Sequence, residues 1–375
     1  MKALVVDCDV VTAWGRGVPA CWTGLLSGRP GFSTIERFGT DAFQSRVAAL
    51  VPELDAGAQE SLAMQMLRPL LERVAGSLPA ETPVILATTI GEVDLLERHA
   101  LHGSGDPEDS RLDRLLARVC GLCGVAAESG RLVSAACVSS SAALAQGAAA
   151  IAAGRSDAAL VVACDAVTEF VYSGFSSLKA LDPDGARPFD RSRRGLTVGE
   201  AAGYALLMSE ERARRESRTR LGEIAGWGLS CDANHMTGPS RDGAGLALAI
   251  GKALDKAGAD RRVIGSISAH GTGTPYNDSM EMKAFRRVFG ETPTPVYSVK
   301  GSVGHTMGAA GLVEAILALK SIEEATIPPS ANLREVDSEA AGWVSAVPAR
   351  CEGMRCVLST NSGFGGVNSA LVLRA

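Results

Sequence analysis

The chain reads as an α/β protein made of two similar halves, and three observations carry that reading. Its 375 residues are 46% hydrophobic and include 42 glycines, which suits a large buried core with close backbone packing. Apolar runs of strand length alternate with longer helix-forming stretches, the pattern of sheets covered by helices. The pattern also repeats. Pro83-Val-Ile-Leu-Ala-Thr-Thr and Val263-Ile-Gly-Ser-Ile-Ser-Ala are each followed by a glycine loop and an amphipathic helix, and each half later reaches another strand, Ala158-Ala-Leu-Val-Val-Ala-Cys and Met354-Arg-Cys-Val-Leu-Ser-Thr. The doubling divides the chain into residues 1–220 and 221–375. The arginine-rich stretch from Glu210 to Arg220 is expected to cross between the halves at the surface.

In the first half, Leu132 to Ala136 reads as a short buried strand. Ser139 to Gly154, rich in alanine with Leu144 and Ile151, is good helix material. Cys137 falls at the junction, in the first turn of that helix, where unpaired N–H groups and the macrodipole favour a thiolate. Such placement can lower a thiol well below its free value of about 8.5. On position alone, Cys137 is equally a small thiol that packs like alanine.

The second half supplies what that cysteine needs. Strand-like Val263 to Ala269 leads into Ser268-Ala-His270-Gly-Thr-Gly-Thr-Pro275, where Gly271 and Gly273 let a ligand approach the main chain and Thr272 and Thr274 place hydroxyls beside the imidazole. Asp278 and Glu281 then start a helix, where acids suit the positive end. A second strand, Pro295 to Lys300, precedes Gly301-Ser-Val-Gly-His305-Thr-Met-Gly-Ala-Ala-Gly311 and a helix over 312–320. Glycines in a helix cost about 1 kcal/mol each against alanine, which makes sense where another backbone or a ligand comes close. Lys300 and Glu314 are the charges of this apolar stretch, and if buried they must be paired.

Several function classes are excluded. Nine cysteines scattered through a large chain with no secretory signal are no disulfide framework, so a reducing, cytoplasmic setting is expected. Cys120-Gly-Leu-Cys123 has CxxC spacing without a second pair or a nearby histidine, so no metal site is expected. The net charge of −5 argues against nucleic acid as a partner. It leaves room for an acidic protein docked on a local basic patch, with Lys179, Arg191, Arg193 and Arg194 as candidates. No apolar run reaches the ~20 residues of a membrane helix. His99 and His102 fall in a polar stretch and read as surface residues. There is no P-loop, convincing dinucleotide fingerprint or histidine-rich cluster.

Five segments together carry a family resemblance. They are Ala136-Cys137 with its serines, Asp190-Arg-Ser-Arg-Arg-Gly-Leu-Thr-Val-Gly-Glu-Ala-Ala-Gly203, the His270 loop, Lys300 to Gly311, and Asn361-Ser-Gly-Phe-Gly-Gly-Val-Asn368. The chain resembles a beta-ketoacyl-acyl-carrier-protein synthase of the elongating Cys-His-His type over nearly its whole length. The resemblance implies a thiolase-like five-layered α-β-α-β-α fold with two pseudo-duplicated halves. It implies a decarboxylative Claisen condensation of an acyl group on Cys137 with malonyl-acyl-carrier-protein, in fatty-acid or specialised polyketide synthesis, polyenes included.

Carried over by position, Cys137 takes the acyl chain and the backbone N–H groups of Cys137 and Phe364 form the oxyanion hole. His270 and His305 hold the malonyl thioester and its enolate, and Lys300 and Glu314 support His305. Thr272 and Thr274 contact the phosphopantetheine arm, Phe364 is a gate, and Ile90 limits the depth of the acyl pocket. No cofactor is implied beyond the phosphopantetheine that carries the substrates. The implied partners are an acyl carrier protein and a second subunit, giving a homodimer or a heterodimer with a chain-length-factor-like chain.

The residue types suit this chemistry on their own terms. Cysteine is a soft nucleophile that forms thioesters, and neutral imidazole N–H groups can hold a developing enolate oxygen. Alternatives fit less well. Chain-length factors look similar but lack the cysteine. Initiating and plant-type synthases follow a Cys-His-Asn pattern, and a cysteine hydrolase would need an orienting carboxylate or amide. The chain departs from the family pattern at Val5 to Val10, in a shortened region from Pro52 to Pro83, at Glu92 where a small residue is usual, and in lacking an extra aromatic before Phe364.

Overall fold

The computed structural model describes residues 1–79 and 81–375. Its main strands are β1 (Ala3–Thr12), β2 (Val84–Ala87), β3 (Gly130–Val133), β4 (Ala158–Asp165), β5 (Ala201–Ser209), β6 (Gly222–Cys231), β7 (Ser266–Ser268), β8 (Val296–Tyr297), β9 (Cys356–Gly363) and β10 (Val367–Arg374). They lie side by side in the order β3-β2-β4-β5-β1-β6-β10-β9-β7-β8. The middle of this row is thin, because β1 and β6 pair only through Leu4 with Glu223 and Val5 with Gly222.

On either side of that seam the sheets have one topology. In the first, β2 is parallel to β3 and β4, then β5 and β1 follow antiparallel. In the second, β7 is parallel to β8 and β9, then β10 and β6 follow antiparallel. Order and direction therefore repeat strand for strand.

The principal helices are α1 (Leu62–Ala75), α2 (Val93–His102), α3 (Leu112–Leu122), α4 (Ser139–Ala152), α5 (Glu169–Ser177), α6 (Ala244–Ala257), α7 (Pro275–Phe289) and α8 (Ala310–Glu323). α4 and α8 pack on each other between the sheets. α1 and α3 cover the outer face of the first sheet, and α6 covers that of the second with α7 beside it. The result is five layers, as the resemblance implies.

The central pair is mostly apolar or small, as largely buried helices must be, with Glu314 the buried charge of α8. Its approach is close. A Cβ on Gly311 would stand 2.7 Å from the Ser141 Cβ. Ser140 Oγ accepts the Leu312 N–H at 2.9 Å, and Ser141 Oγ meets Ser369 Oγ at 2.6 Å. Gly311 in the first turn of α8 thus answers to a neighbouring helix, whereas Gly301 meets the Ala331 carbonyl and Gly304 meets Gly199.

Three expectations need correction. The strand expected at Leu132 to Ala136 is β3, Gly130–Val133, at the sheet edge with Arg131 and Leu132 exposed. An edge strand pairs on one side only, so its apolar residues need not be inside. Of Val263 to Ala269, only Ser266–Ser268 is strand, because Arg261–Val263 forms a 3₁₀ turn. Lys300 does not end a strand but opens a short helix, Lys300–Val303. The segment after β5 begins as the helix Glu210–Arg215 and leads to β6.

Candidate active site

Cys137 lies in the turn between β3 and α4. Ala136 before it takes a left-handed φ of 49°, a conformation that costs a non-glycine residue about 1–2 kcal/mol and clusters at functional sites. Val138 is the N-cap of α4, so the thiol stands just outside the first turn, within reach of the positive helix end.

His270 follows β7, and its loop is gathered by two buried acids of α7. Glu281 accepts the backbone N–H groups of His270 at 2.8 Å and Gly271 at 2.6 Å. Asp278 accepts those of Thr272 at 3.1 Å, Gly273 at 3.2 Å and Phe189 at 2.8 Å. Sequence reasoning placed these acids at a helix start as partners of the dipole. They are buried and face inward, where they fix the loop.

His305 is clamped by the segment that precedes β5. Its N–H donates to Thr197 O at 2.7 Å and its carbonyl accepts from Gly199 N–H at 2.9 Å. The Met307 N–H donates to His305 Nδ1 at 3.0 Å. That bond makes Nδ1 an acceptor and leaves the ring proton of the neutral imidazole on Nε2.

These three side chains come together. The Cys137 Sγ and one ring nitrogen from each histidine all lie within 4.8 Å of one another. The two imidazoles are 5.1 Å apart between centroids and nearly perpendicular at 86°. Lys300 and Glu314 form an ion pair with side chains only 1% exposed, and Asn361 Nδ2 donates to the other Glu314 oxygen at 2.6 Å. The pairing expected of two buried charges is present.

The electrostatics follow from burial and from Lys300. Burial, then the Lys300 charge, holds His270 and His305 well below the ordinary imidazole value, with His305 adding to the effect on His270. Both rings are therefore neutral at pH 7. Burial pushes Glu314 up, against the pull of Lys300 and Asn361. Burial also pushes the Cys137 thiol up to about 11, with Asp165 adding to the rise, while Lys300 and the Phe364 and Cys137 N–H groups pull it down. This corrects the expectation of a helix-lowered thiol. The helix end is there, but desolvation outweighs it.

The triad opens into a cavity of about 730 Å³. Phe364, Thr272 and Thr274 line it, and the two threonine hydroxyls lie 2.9 Å apart. Its mouth carries Lys179, Arg194 and Arg241, with His235 on the same loop as Arg241. Of the expected basic patch, Arg193 is buried between Asp337 at 2.6 Å and Asp278 at 3.6 Å, and so is not free to dock a partner. Arg191 is exposed and pairs with Glu335 at 2.7 Å.

Ile90 packs with Val171, Tyr172 and Met307 in an apolar cluster beside the cavity. Phe175 spans the two, 6.4 Å from the His305 ring and 5.9 Å from Phe364. Sequence reading missed Phe175, which nothing but its aromatic type marked within α5. Glu92 is buried against Arg118 and Ser61 on the wall of a second cavity of about 910 Å³, which none of the triad reaches.

Outside the site, Cys120 and Cys123 are buried in and just after α3, and their thiols are pushed up by burial. His99 and His102 are exposed, as expected.

Comparison with known proteins agrees with this geometry. Residues 117–213 match the beta-ketoacyl synthase N-terminal domain and residues 221–334 match the beta-ketoacyl synthase C-terminal domain. The 3-oxoacyl-[acyl-carrier-protein] synthase 2 of Vibrio cholerae is 31% identical, covering 100% of this chain and 99% of its own. A protein of Streptomyces coelicolor, named as an actinorhodin polyketide beta-ketoacyl synthase 1, is 32% identical over 100% of this chain and 88% of its own. Among solved structures, the ishigamide ketosynthase/chain length factor superposes with a TM-score of 0.88 at 32% identity, over 100% of this chain and 99% of that one.

Proposed function

This chain belongs to the beta-ketoacyl synthase family, and from that premise we propose how its residues divide the work. It is a condensing acyltransferase that acts on acyl-carrier-protein thioesters in fatty-acid or polyketide synthesis. In the proposed sequence, Cys137 Sγ attacks the acyl thioester, and the carrier's phosphopantetheine thiol leaves. With the Cys137 thiol held up to about 11, its proton must depart during attack. His270 is the open acceptor, since its ring makes no hydrogen bond among the described residues and its Nδ1 is buried without a partner. It passes the proton to the departing phosphopantetheine sulfur, which leaves as a thiol and returns the ring to neutrality.

The malonyl thioester then enters. Its carbonyl oxygen takes hydrogen bonds from the neutral imidazoles, His305 donating through Nε2–H. Loss of carbon dioxide leaves the electron pair as an enolate. Its carbon attacks the acyl carbonyl, whose oxyanion is held by the N–H groups of Cys137 and Phe364, and the bond to Sγ breaks to free the β-ketoacyl product. Each such donor contributes about 2.7–4 kcal/mol to a developing oxyanion. Burial and then the Lys300 charge keep both rings neutral, and Lys300 offsets the Cys137 thiolate until it takes up a proton from solvent. Thr272 and Thr274 flank the phosphopantetheine arm, Phe364 gates the thiol, and Ile90 bounds the acyl chain.

An acyl carrier protein is the proposed partner at the cavity mouth, where Lys179 and Arg241 can meet an acidic surface, beside Arg194, which is paired with Asp182 and Asp184. A second subunit, identical or of the chain-length-factor kind, completes the assembly. The halves 1–220 and 221–375 are proposed as the duplicated units, and the cytoplasm as the setting. Among the described residues no helix is long and apolar enough to cross a membrane.

The observation that carries this reading is the convergence of one thiol and two neutral imidazoles on a single cavity beside a buried ion pair. Its test separates loading from condensation. His305→Ala should load acyl chains on Cys137 near the wild-type rate yet lose malonyl decarboxylation by roughly 10²–10³-fold. His270→Ala should lose decarboxylation and also load roughly 10²-fold more slowly. Near wild-type condensation in either variant would remove that histidine from the site.

A further inference from the structure

One fully buried carboxylate near the thiol has no place in the sequence above. Asp165 ends β4, beneath the cavity. It accepts from Thr88 Oγ1 at 2.5 Å, Thr89 Oγ1 at 2.6 Å, Thr89 N–H at 3.0 Å and Ile90 N–H at 3.2 Å. It also accepts from the Gly308 N–H at 2.6 Å, across the boundary between the halves. Three of these partners are backbone N–H groups, which only donate, and the two threonine hydroxyls can donate as well. Burial pushes the Asp165 carboxyl up, and these bonds pull it back down.

The two segments it joins are the two that matter for the reaction. Thr88 to Ile90 carries the residue proposed to bound the acyl chain. Gly308 follows Met307, whose N–H fixes the His305 tautomer and whose φ of 51° is left-handed. A non-glycine residue holds that conformation only where its surroundings over-determine it. Asp165 is part of that restraint. The fit is tight, since a Cβ on Gly308 would lie 2.7 Å from Asp165 Oδ2 and 2.9 Å from Thr89 N. Met307 and Ile90 also share one apolar cluster, so the carboxylate and the packing hold the same two elements.

We infer that Asp165 is a positioning residue for the condensation, tying the acyl-pocket loop at Ile90 to the Met307–Gly308 turn so that the His305 Nε2–H is aimed where the enolate oxygen forms. Its effect on the reaction passes through His305, with the Ile90 loop as the anchor. The inference rests on the proposed role of His305. The charged and titratable groups around the Cys137 thiol are Lys300, Asp165, His270 and His305.

The test uses Asp165→Asn and Thr89→Val in the full-length protein. The first keeps the shape but turns an amide N–H₂ toward donors. The second keeps the carboxylate and removes one donor. Three quantities are followed: acyl loading on Cys137, decarboxylation of malonyl-acyl-carrier-protein, and the pH dependence of Cys137 alkylation by iodoacetamide. For Asp165→Asn, decarboxylation kcat should fall roughly 10–100-fold, the order of loss that a small misplacement of a catalytic group produces, with KM little changed. Loading should stay within about threefold of wild type by the same reasoning, because His305 is not needed for that step. The alkylation curve should move to lower pH, since a buried anion beside the thiol is gone. Thr89→Val should show the same split, smaller, with an unmoved alkylation curve.

Equal losses in loading and decarboxylation would mark Asp165 as structural only and overturn the inference. So would an unchanged decarboxylation rate, or an alkylation curve that stays in place in Asp165→Asn. If Asp165→Asn does not fold, Thr89→Val decides alone, and a wild-type ratio of the two rates in it overturns the inference. A wild-type enzyme that does not decarboxylate malonyl thioester at all would instead overturn the functional reading itself.

Discussion

The loop after β2 and the loop after β7 occupy equivalent places in the two sheets, and both are gathered by buried carboxyl groups that arrive from different distances. After β7, the His270 loop is held by Asp278 and Glu281 from the helix that directly follows it. After β2, the Thr88–Ile90 loop is held by Asp165, from a strand 76 residues beyond Thr89. The same carboxylate reaches Gly308, 143 residues away in the other half. The local arrangement fixes one catalytic group mainly from its own half, with Asp278 also reaching the Phe189 N–H of the other. The long-range one couples a substrate wall in the first half to a catalytic group in the second. Two copies of one loop have thus been given different tasks: one carries an imidazole held mainly from its own half, and the other bounds the substrate and shares its anchor with the opposite half.

Lys300 lies where these tasks meet, and breaking it should have the largest effect. Its charge acts on Cys137 from the first half and on both histidines from the second. Lys300→Ala leaves Glu314 buried and unpaired, which typically destabilises by about 3–5 kcal/mol. Chemical denaturation should show that loss. The double variant Lys300→Met with Glu314→Leu should recover most of it while moving Cys137 alkylation to higher pH. A double variant whose alkylation curve matches wild type would show that Lys300 does not act on the thiol.

A smaller effect distinguishes the two loops by pH. Burial, with Asp278 adding to it, pushes Glu281 up to about 8 from an ordinary value of 4.5. A carboxyl with a raised folded value binds its proton more tightly in the native state. Its contribution to stability is therefore full below about 4.5 and is lost as pH rises through about 8. The melting temperature of the wild type should fall between about pH 4.5 and 8, and fall less in Glu281→Gln. Parallel curves for the two proteins would show that Glu281 does not titrate in that window.

The smallest effect concerns the wall itself. Ile90→Gly should lengthen the preferred acyl chain and Ile90→Phe shorten it, by a few carbons. Each methylene accommodated is worth about 0.8 kcal/mol, and overpacking costs ~1–3 kcal/mol. Malonyl decarboxylation should change little in either variant. Chain-length profiles on the purified assembly that match wild type in both would place the pocket floor elsewhere, with Phe175 the nearest alternative.

Sequence and structure agree best where function is local. Cys137 and His270 each follow a strand and His305 a short helix, all marked by glycines or a run of serines, and Lys300 and Glu314 were legible because unpaired charge in an apolar stretch demands a partner. The doubling of the sheet was legible from repeated strand and helix runs. Asp165 was not, because Ala158-Ala-Leu-Val-Val-Ala-Cys-Asp reads as the end of an ordinary strand and its donors lie on distant segments. Asp278 and Glu281 were seen but given the wrong task, since a helix start explains acids without asking which way they point. The thiol was misjudged for a related reason. A helix N-terminus can be read from sequence, but the depth of burial that outweighs it cannot.

The central claim is that Cys137 is the nucleophile that carries the acyl chain, and peptide-level mass spectrometry tests it most directly. The wild type and Cys137→Ala would each be incubated with a panel of acyl-carrier-protein thioesters and digested. The account predicts one acyl group per chain on the peptide containing Cys137, for at least one chain length, and none anywhere on the folded Cys137→Ala protein. Stoichiometric acylation that persists in that variant, or that maps to another cysteine in the wild type, would contradict it.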